Sequence, residues 1–290
     1  VSELPTDYKE KYAEYRNAKN QKFARYLTAL GLSDTAEKIL TDKSILIEAD
    51  FNPTKTWVEY VNRLVGVAIG LFIVAVTWFS RPFRKVKPSI FWLAFACLLA
   101  VIFQGWFGSI VVSTNLTSWT ITVHMFLALV IVALLLHLYH QSGESSEEQI
   151  LADGRTRLLL SACMAVLLIQ VFLGTQVREA IDLLAQSMPR DSWIQSLGGD
   201  FMIHRSFSWL VLILHLFFFQ KWRKTEAPKA LSLWLIVLIL GTVLTGTGMA
   251  YLGVPPFLQP VHLLVATATF GLQYLIWLRL KTVDALVSVN

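Results

Sequence analysis

VHMFLALVIVAL at residues 123–134 and VHLLVATATFGL at residues 261–272 decide the fold of this chain. Each is a Val-His step opening a long uncharged run. The two share Val123/Val261, His124/His262, Ala128/Ala266 and Leu134/Leu272. Apolar runs of about 20 residues cross a bilayer as helices. Working outward from these two, seven such runs are read, near 57–79, 90–112, 119–140, 157–178, 204–220, 231–251 and 257–280. The composition agrees, with 55% hydrophobic residues and a mean hydropathy of +0.55. Charged residues make up 16% of the chain, whereas soluble domains carry about 25%. The predicted fold class is all-α, a polytopic membrane helix bundle.

A second pattern is a duplication. A polar-Arg step precedes each Val-His step: Asn62-Arg63 before Val123-His124, and His204-Arg205 before Val261-His262. The intervals are 62 and 58 residues, from Asn62 to His124 and from His204 to His262. A Gln-x3-Gly-x2-Val echo occurs at Gln104/Gly108/Val111 and at Gln170/Gly174/Val177. Internal repetition of this kind marks a duplicated unit. Glycines in such helices permit close approach of a neighbouring helix or a flat ligand. The chain starts at Val1, with neither an initiator Met nor a signal peptide. One further helix ahead of it is therefore expected, giving eight in two pseudo-repeated four-helix halves. The predicted organisation is an external helical segment (1–56), an N-terminal half (57–140), a cytoplasmic linker (141–156) and a C-terminal half (157–290).

Charge placement supplies the topology. Arg81, Arg84, Lys85 and Lys87 fill one short loop without an acid; Lys221, Arg223, Lys224 and Lys229 fill another against Glu226 alone. Arg279 and Lys281 close the last helix. The positive-inside rule assigns these ends to the cytoplasm. Loops 113–118 and 252–256 carry no basic residue, and 179–203 is acidic on balance, so those face outward. The pI of about 9.2 is thus a topology signal, and no nucleic-acid partner is expected. In the external segment, residues 7–30 read as a helix, and Asp34 with Glu37 reads as a capping box opening a second helix to about Ala49. Cys97 and Cys163 lie in apolar runs and read as small buried hydrophobes.

The histidines carry the chemistry. Neutral imidazole is a common axial ligand of heme iron, and two histidines on facing helices can clamp one heme. His204 and His262 offer that pair, while Asn62 stands where the mate of His124 is expected. All four lie within a turn or two of the outer helix ends, at one membrane depth. Intramembrane ionisable residues are costly and mark function. A bis-His heme leaves no position for dioxygen and suits electron transfer. His137, His140 and His215 lie towards the inner ends and read as packed or interfacial. Glu59, three residues before Asn62, shares its helix face. It reads either as a proton donor or as a solvated helix-start acid. Arg63 and Arg205 read either as heme-propionate contacts or as residues snorkelling to the interface. There is no glycine-rich phosphate loop, zinc spacing or nucleophile–base arrangement.

With WVEYVNRLVGV at 57–67, Gln104-Gly105, Val123-His124, His204-Arg205 and Val261-His262, the chain from about 50 to 280 resembles the heme A synthase family. The external segment resembles the form found in Bacteroidetes-like bacteria. The resemblance implies a bacterial inner (cytoplasmic) membrane enzyme that oxidises the C8 methyl of heme O to the formyl of heme A by successive hydroxylations. It implies heme b held by His204 and His262, heme O as substrate with His124 as its iron ligand, and Glu59 as the catalytic acid. Dioxygen and an electron donor are implied, with heme O synthase and the cytochrome oxidase assembly machinery as partners in the bilayer. Asn62 departs from the family pattern, which has His there. The alternatives are a non-catalytic heme-handling assembly protein and a diheme b-type electron carrier; the latter predicts two complete histidine pairs, which Asn62 argues against.

Overall fold

The computed structural model describes residues 7–29, 31, 33–41, 53–113, 118–143, 149–185, 187–225 and 228–282. Contacts group the chain into two units, Val1–Ala75 with Val101–His124, and Val76–Ala100 with Met125–Asn290.

In the first unit, α1 (Tyr8–Ala29) and α2 (Ser33–Thr41) pack through Ala24, Leu27, Ala36 and Ile39. Gly31, at φ +78°, provides the left-handed turn between them. The second helix starts at Ser33, so Asp34 lies inside its first turn instead of capping it. The expected continuation towards Ala49 lies outside the described residues. Next comes α3 (Pro53–Phe79), whose last turn passes into the second unit. Proline at its first position fits, because that N–H has no partner inside a helix. The one-turn α4 (Phe83–Val86) belongs to the second unit, while α5 (Pro88–Ser113) and α6 (Ser118–Ser142) contribute residues to both.

The second unit also holds α7 (Gly154–Leu184), the one-turn α8 (Trp193–Ser196), α9 (Gly199–Trp222), α10 (Lys229–Tyr251) and α11 (Leu258–Arg279). Helix α7 packs on α9 and α11, and α10 packs on the same two. Leu160, Cys163, Phe218, Leu235 and Ile276 form the core among them. Trp277 Nε1 donates to Ser161 Oγ at 3.1 Å, a polar tie between α11 and α7. Asp153 caps α7, its Oδ1 accepting from Thr156 N at 2.7 Å. The Thr156 hydroxyl and amide, with Lys221 Nζ 3.2 Å from Oδ2, hold the Asp153 carboxyl down at about 2.

Among the described residues, seven helices are long and apolar enough to cross a membrane: α3, α5, α6, α7, α9, α10 and α11. The protein is an all-α, multi-pass membrane protein, as the hydropathy pattern predicts. Large apolar side chains such as Phe72, Trp209 and Leu244 are exposed along these helices, a surface that lipid and not water suits. Arg81 lies 3.7 Å over the Trp78 ring and Arg84 5.4 Å over Phe91, the cation–aromatic anchoring typical of a membrane interface. Glu226 lies outside the described residues. Cys97 and Cys163 are free and fully buried, behaving as the small hydrophobes expected.

Two features differ from the sequence reading. Helices extend past their apolar runs: 157–178 becomes Gly154–Leu184, and 204–220 becomes Gly199–Trp222. Hydropathy detects only the lipid-facing middle, while helical hydrogen bonding continues through interfacial residues. Arg178 Nε, 3.0 Å from both Asp182 carboxylate oxygens, braces one such extension. A two-stranded parallel ladder also pairs β1 (Ile150–Ala152) with β2 (Leu280–Thr282), matching Ile150 to Leu280. Three-residue strands give no readable periodicity.

Candidate functional site

Each of His124, His204 and His262 lies against a glycine of a neighbouring helix. A Cβ built on Gly108 (α5) would lie 3.2 Å from His124 Cε1; on Gly174 (α7), 3.2 Å from His204 Cε1; on Gly246 (α10), 3.2 Å from His262 Cε1. No larger residue leaves those rings in place. Gln104 Nε2 donates to the His124 carbonyl at 2.9 Å, and Gln170 Nε2 to the His204 carbonyl at 3.1 Å. One turn of helix thus supplies both an amide that grips the histidine backbone and a glycine that admits its ring.

The third case differs. Thr242 occupies the place of the glutamine, and Thr245 Oγ1 lies 2.9 Å from His262 Nδ1. That hydroxyl already donates to the Gly241 carbonyl at 2.7 Å, so it accepts from Nδ1–H. The proton is thereby fixed on Nδ1, and Nε2 keeps the lone pair that a metal needs. The buried Nδ1 of His204 has no such hydrogen-bond partner.

The turn between α10 and α11 sets this contact. Gly253 has φ +66° and Val254 φ +55°. Left-handed backbone is unusual for a β-branched residue and persists only where packing enforces it. Val254 is buried, and its N–H closes the end of α10 on the Met249 carbonyl at 2.9 Å. The chain then reverses into α11 and returns His262 to Gly246.

His204 and His262 stand six and five residues into α9 and α11. Among the described residues no three His, Cys, Asp or Glu side chains converge. Two imidazoles alone suit an iron whose other four ligands come from a macrocycle. On this donor set the residues fit a heme.

The remaining predicted residues are spread along the helices. Asn62 is exposed on α3, and Glu59 forms an ion pair with Arg63 one turn later. Arg205 is exposed, its guanidinium 5.9 Å over the Phe201 ring. His137 Nδ1 is 3.3 Å from the Tyr274 hydroxyl, and His215 is fully buried.

Gly246 and Thr245 were not read from the sequence. The signal was available, since a glycine stands sixteen residues before both His124 and His262. The Gln-x3-Gly echo does not extend to Gly246, because Thr242 stands where the glutamine would be. Its two copies face different histidines, His124 and His204, so by the spacing of the repeat the counterpart of Gln104/Gly108 is Thr242/Gly246.

Known proteins resemble this chain over most of its length. The profile of the cytochrome oxidase assembly protein family (COX15-CtaA) matches residues 33–274. A heme A synthase of Wolbachia sp. subsp. Brugia malayi (strain TRS) is 27% identical over 127 residues, covering 41% of this chain and 38% of the relative. A heme A synthase of Wolbachia pipientis subsp. Culex pipiens (strain wPip) is 23% identical over 238 residues, covering 74% of this chain and 71% of that relative. The match to the first spans well under half of that relative's length. No solved structure matches. With its motifs in order and most of its length matched, the chain belongs to the COX15-CtaA family of cytochrome oxidase assembly proteins, the heme A synthase family that its sequence resembles.

Proposed function

We propose that this protein converts heme O to heme A, oxidising the C8 methyl group to a formyl group. The observation that carries the reading is the set of three histidines, each seated on a glycine of the adjacent helix. His204 and His262 hold heme b, and His124 binds the iron of the substrate heme. A heme bound between two histidines supplies one-electron redox chemistry. Each of two hydroxylations consumes one dioxygen, two electrons and two protons and releases one water; the geminal diol then loses water to leave the aldehyde.

The chain's own residues orient and protonate. Thr245 keeps the His262 proton on Nδ1. Glu59 relays protons at the substrate half, and Arg63, its ion-pair partner one turn later, is the propionate contact there. Arg205 is the matching propionate contact in the heme b half. Asn62 gives the substrate iron no strong second ligand. The basic loops place their ends in the cytoplasm, which puts the ligand histidines towards the outer face of a bacterial inner membrane. Heme O synthase supplies the substrate, and cytochrome oxidase assembly consumes the product.

Asn62 also favours a second reading, in which the N-terminal half only stores and passes heme. Conversion assays on purified protein with heme O, dioxygen and a reductant separate the two. Heme A formation that is lost in Glu59→Ala supports the enzyme, and tight heme O binding without conversion supports the carrier.

A further inference from the structure

His204 and His262 have a polar shadow deeper in the same two helices. Eleven residues after His204 comes His215, and eleven after His262 comes Gln273. Eleven residues are about three turns, so each member of the second pair shares a helix face with its ligand, about 16 Å along the axis. The two touch: Gln273 Nε2 lies 2.5 Å from His215 Nε2. His215 is 1% exposed and Gln273 0%.

The hydrogen positions follow from the neighbours. His215 Nδ1 lies 2.6 Å from the Val211 carbonyl, an acceptor only, so Nδ1 carries the proton. Nε2 must therefore accept, and Gln273 presents its NH2 group to it. This leaves Gln273 Oε1 buried with no hydrogen-bond partner. A buried polar pair that leaves one atom unsatisfied is a poor device for stability alone.

Its geometric consequence is definite. Helices α9 and α11 both begin at the ligand end. A contact at the same distance beyond each ligand fixes the two helices in equal register. Equal register brings His204 level with His262. The N-terminal half has no such pair, since the positions eleven beyond Asn62 and His124 are Ile73 and Leu135.

We infer that His215 and Gln273 are positioning residues, a buried interhelical clamp that holds α9 and α11 in the register at which His204 and His262 ligate one heme. The inference rests on the reading of those two histidines as heme ligands.

The test is ferric electron paramagnetic resonance and redox titration of the purified full chain with its heme. Gln273→Met keeps length and bulk but removes the amide; His215→Leu removes the acceptor; the exchange His215→Gln with Gln273→His keeps a hydrogen-bonding pair. Thermal unfolding is recorded for each. The clamp predicts altered low-spin g-values, a new high-spin fraction and a shifted midpoint potential in Gln273→Met and His215→Leu, with recovery in the exchanged protein. Wild-type g-values and potential in Gln273→Met would overturn it. So would a change that the exchange does not restore, because packing alone would then account for it. His204→Ala in the same series separates the two claims. If it keeps the wild-type spectrum, the ligand assignment fails and the clamp with it. If it loses the spectrum while Gln273→Met is unchanged, only the clamp fails.

Discussion

Gly174→Ala places one methyl group against the ring of His204, a proposed heme ligand. The new Cβ would lie 3.2 Å from His204 Cε1. That is tighter than ordinary carbon contact, so the ring or α7 must yield by a few tenths of an ångström. The ring has little freedom, because its backbone is gripped by Gln170 Nε2 and its side chain is partly buried against α7. Overpacking of this size costs about 1–3 kcal/mol. If that cost falls on the ligated state, heme affinity drops about 5- to 150-fold. Gly105→Ala is the matched control, since a Cβ there meets nothing within 4 Å. The assay is the heme-to-protein ratio of purified protein, with the rate of heme transfer to an apo-globin acceptor. Gly174→Ala should lose heme faster and Gly105→Ala should not. Wild-type stoichiometry and transfer rate in a folded Gly174→Ala protein would refute the reasoning.

Other outcomes follow from the same geometry. His204→Ala and His262→Ala should each abolish the low-spin b-heme spectrum, and wild-type absorbance in either would remove that residue as a ligand. Thr245→Val removes the acceptor from His262 Nδ1–H, so the imidazole donates less charge to iron and the midpoint potential should rise; an unchanged potential would disconnect Thr245 from the site. Glu59→Ala should lower heme A formation severely while leaving the b-heme spectrum intact, and full activity would exclude it from the mechanism. Asp153 contributes a pH dependence. A carboxyl depressed from 3.8 to about 2 on folding stabilises above its unfolded value, and that contribution fades as pH falls between the two. Thermal melts from about pH 4 to about pH 2 should fall more steeply for wild type than for Asp153→Asn; parallel curves would remove the cap from the acid response.

The spans, and the histidines that the structure seats against glycines, were legible because their signals are local. Twenty apolar residues declare a membrane helix, and a histidine inside one is costly enough to need a reason. The glycine contacts were half legible. Gly108 and Gly174 stood out beside glutamines, whereas Gly246 sits beside a threonine and needed the spacing to His262 to be noticed. The remainder depended on register between distant segments. Gln273 meets His215 across 58 residues of chain, and Ile150 pairs with Leu280 across 130. Neither partner carries a mark of the other in its own neighbourhood. The lengthened ends of α7 and α9 were hidden because polar residues at an interface continue a helix without continuing its hydropathy.

The central claim is chemical, that this family member turns a heme methyl into an aldehyde. Heme extracted from cells that make heme O and express this protein, resolved by mass, tests it most directly. Heme A, or its hydroxymethyl precursor, appearing only when the protein is present is the predicted result. Heme O as the sole product, beside a folded protein that carries heme b, would contradict it.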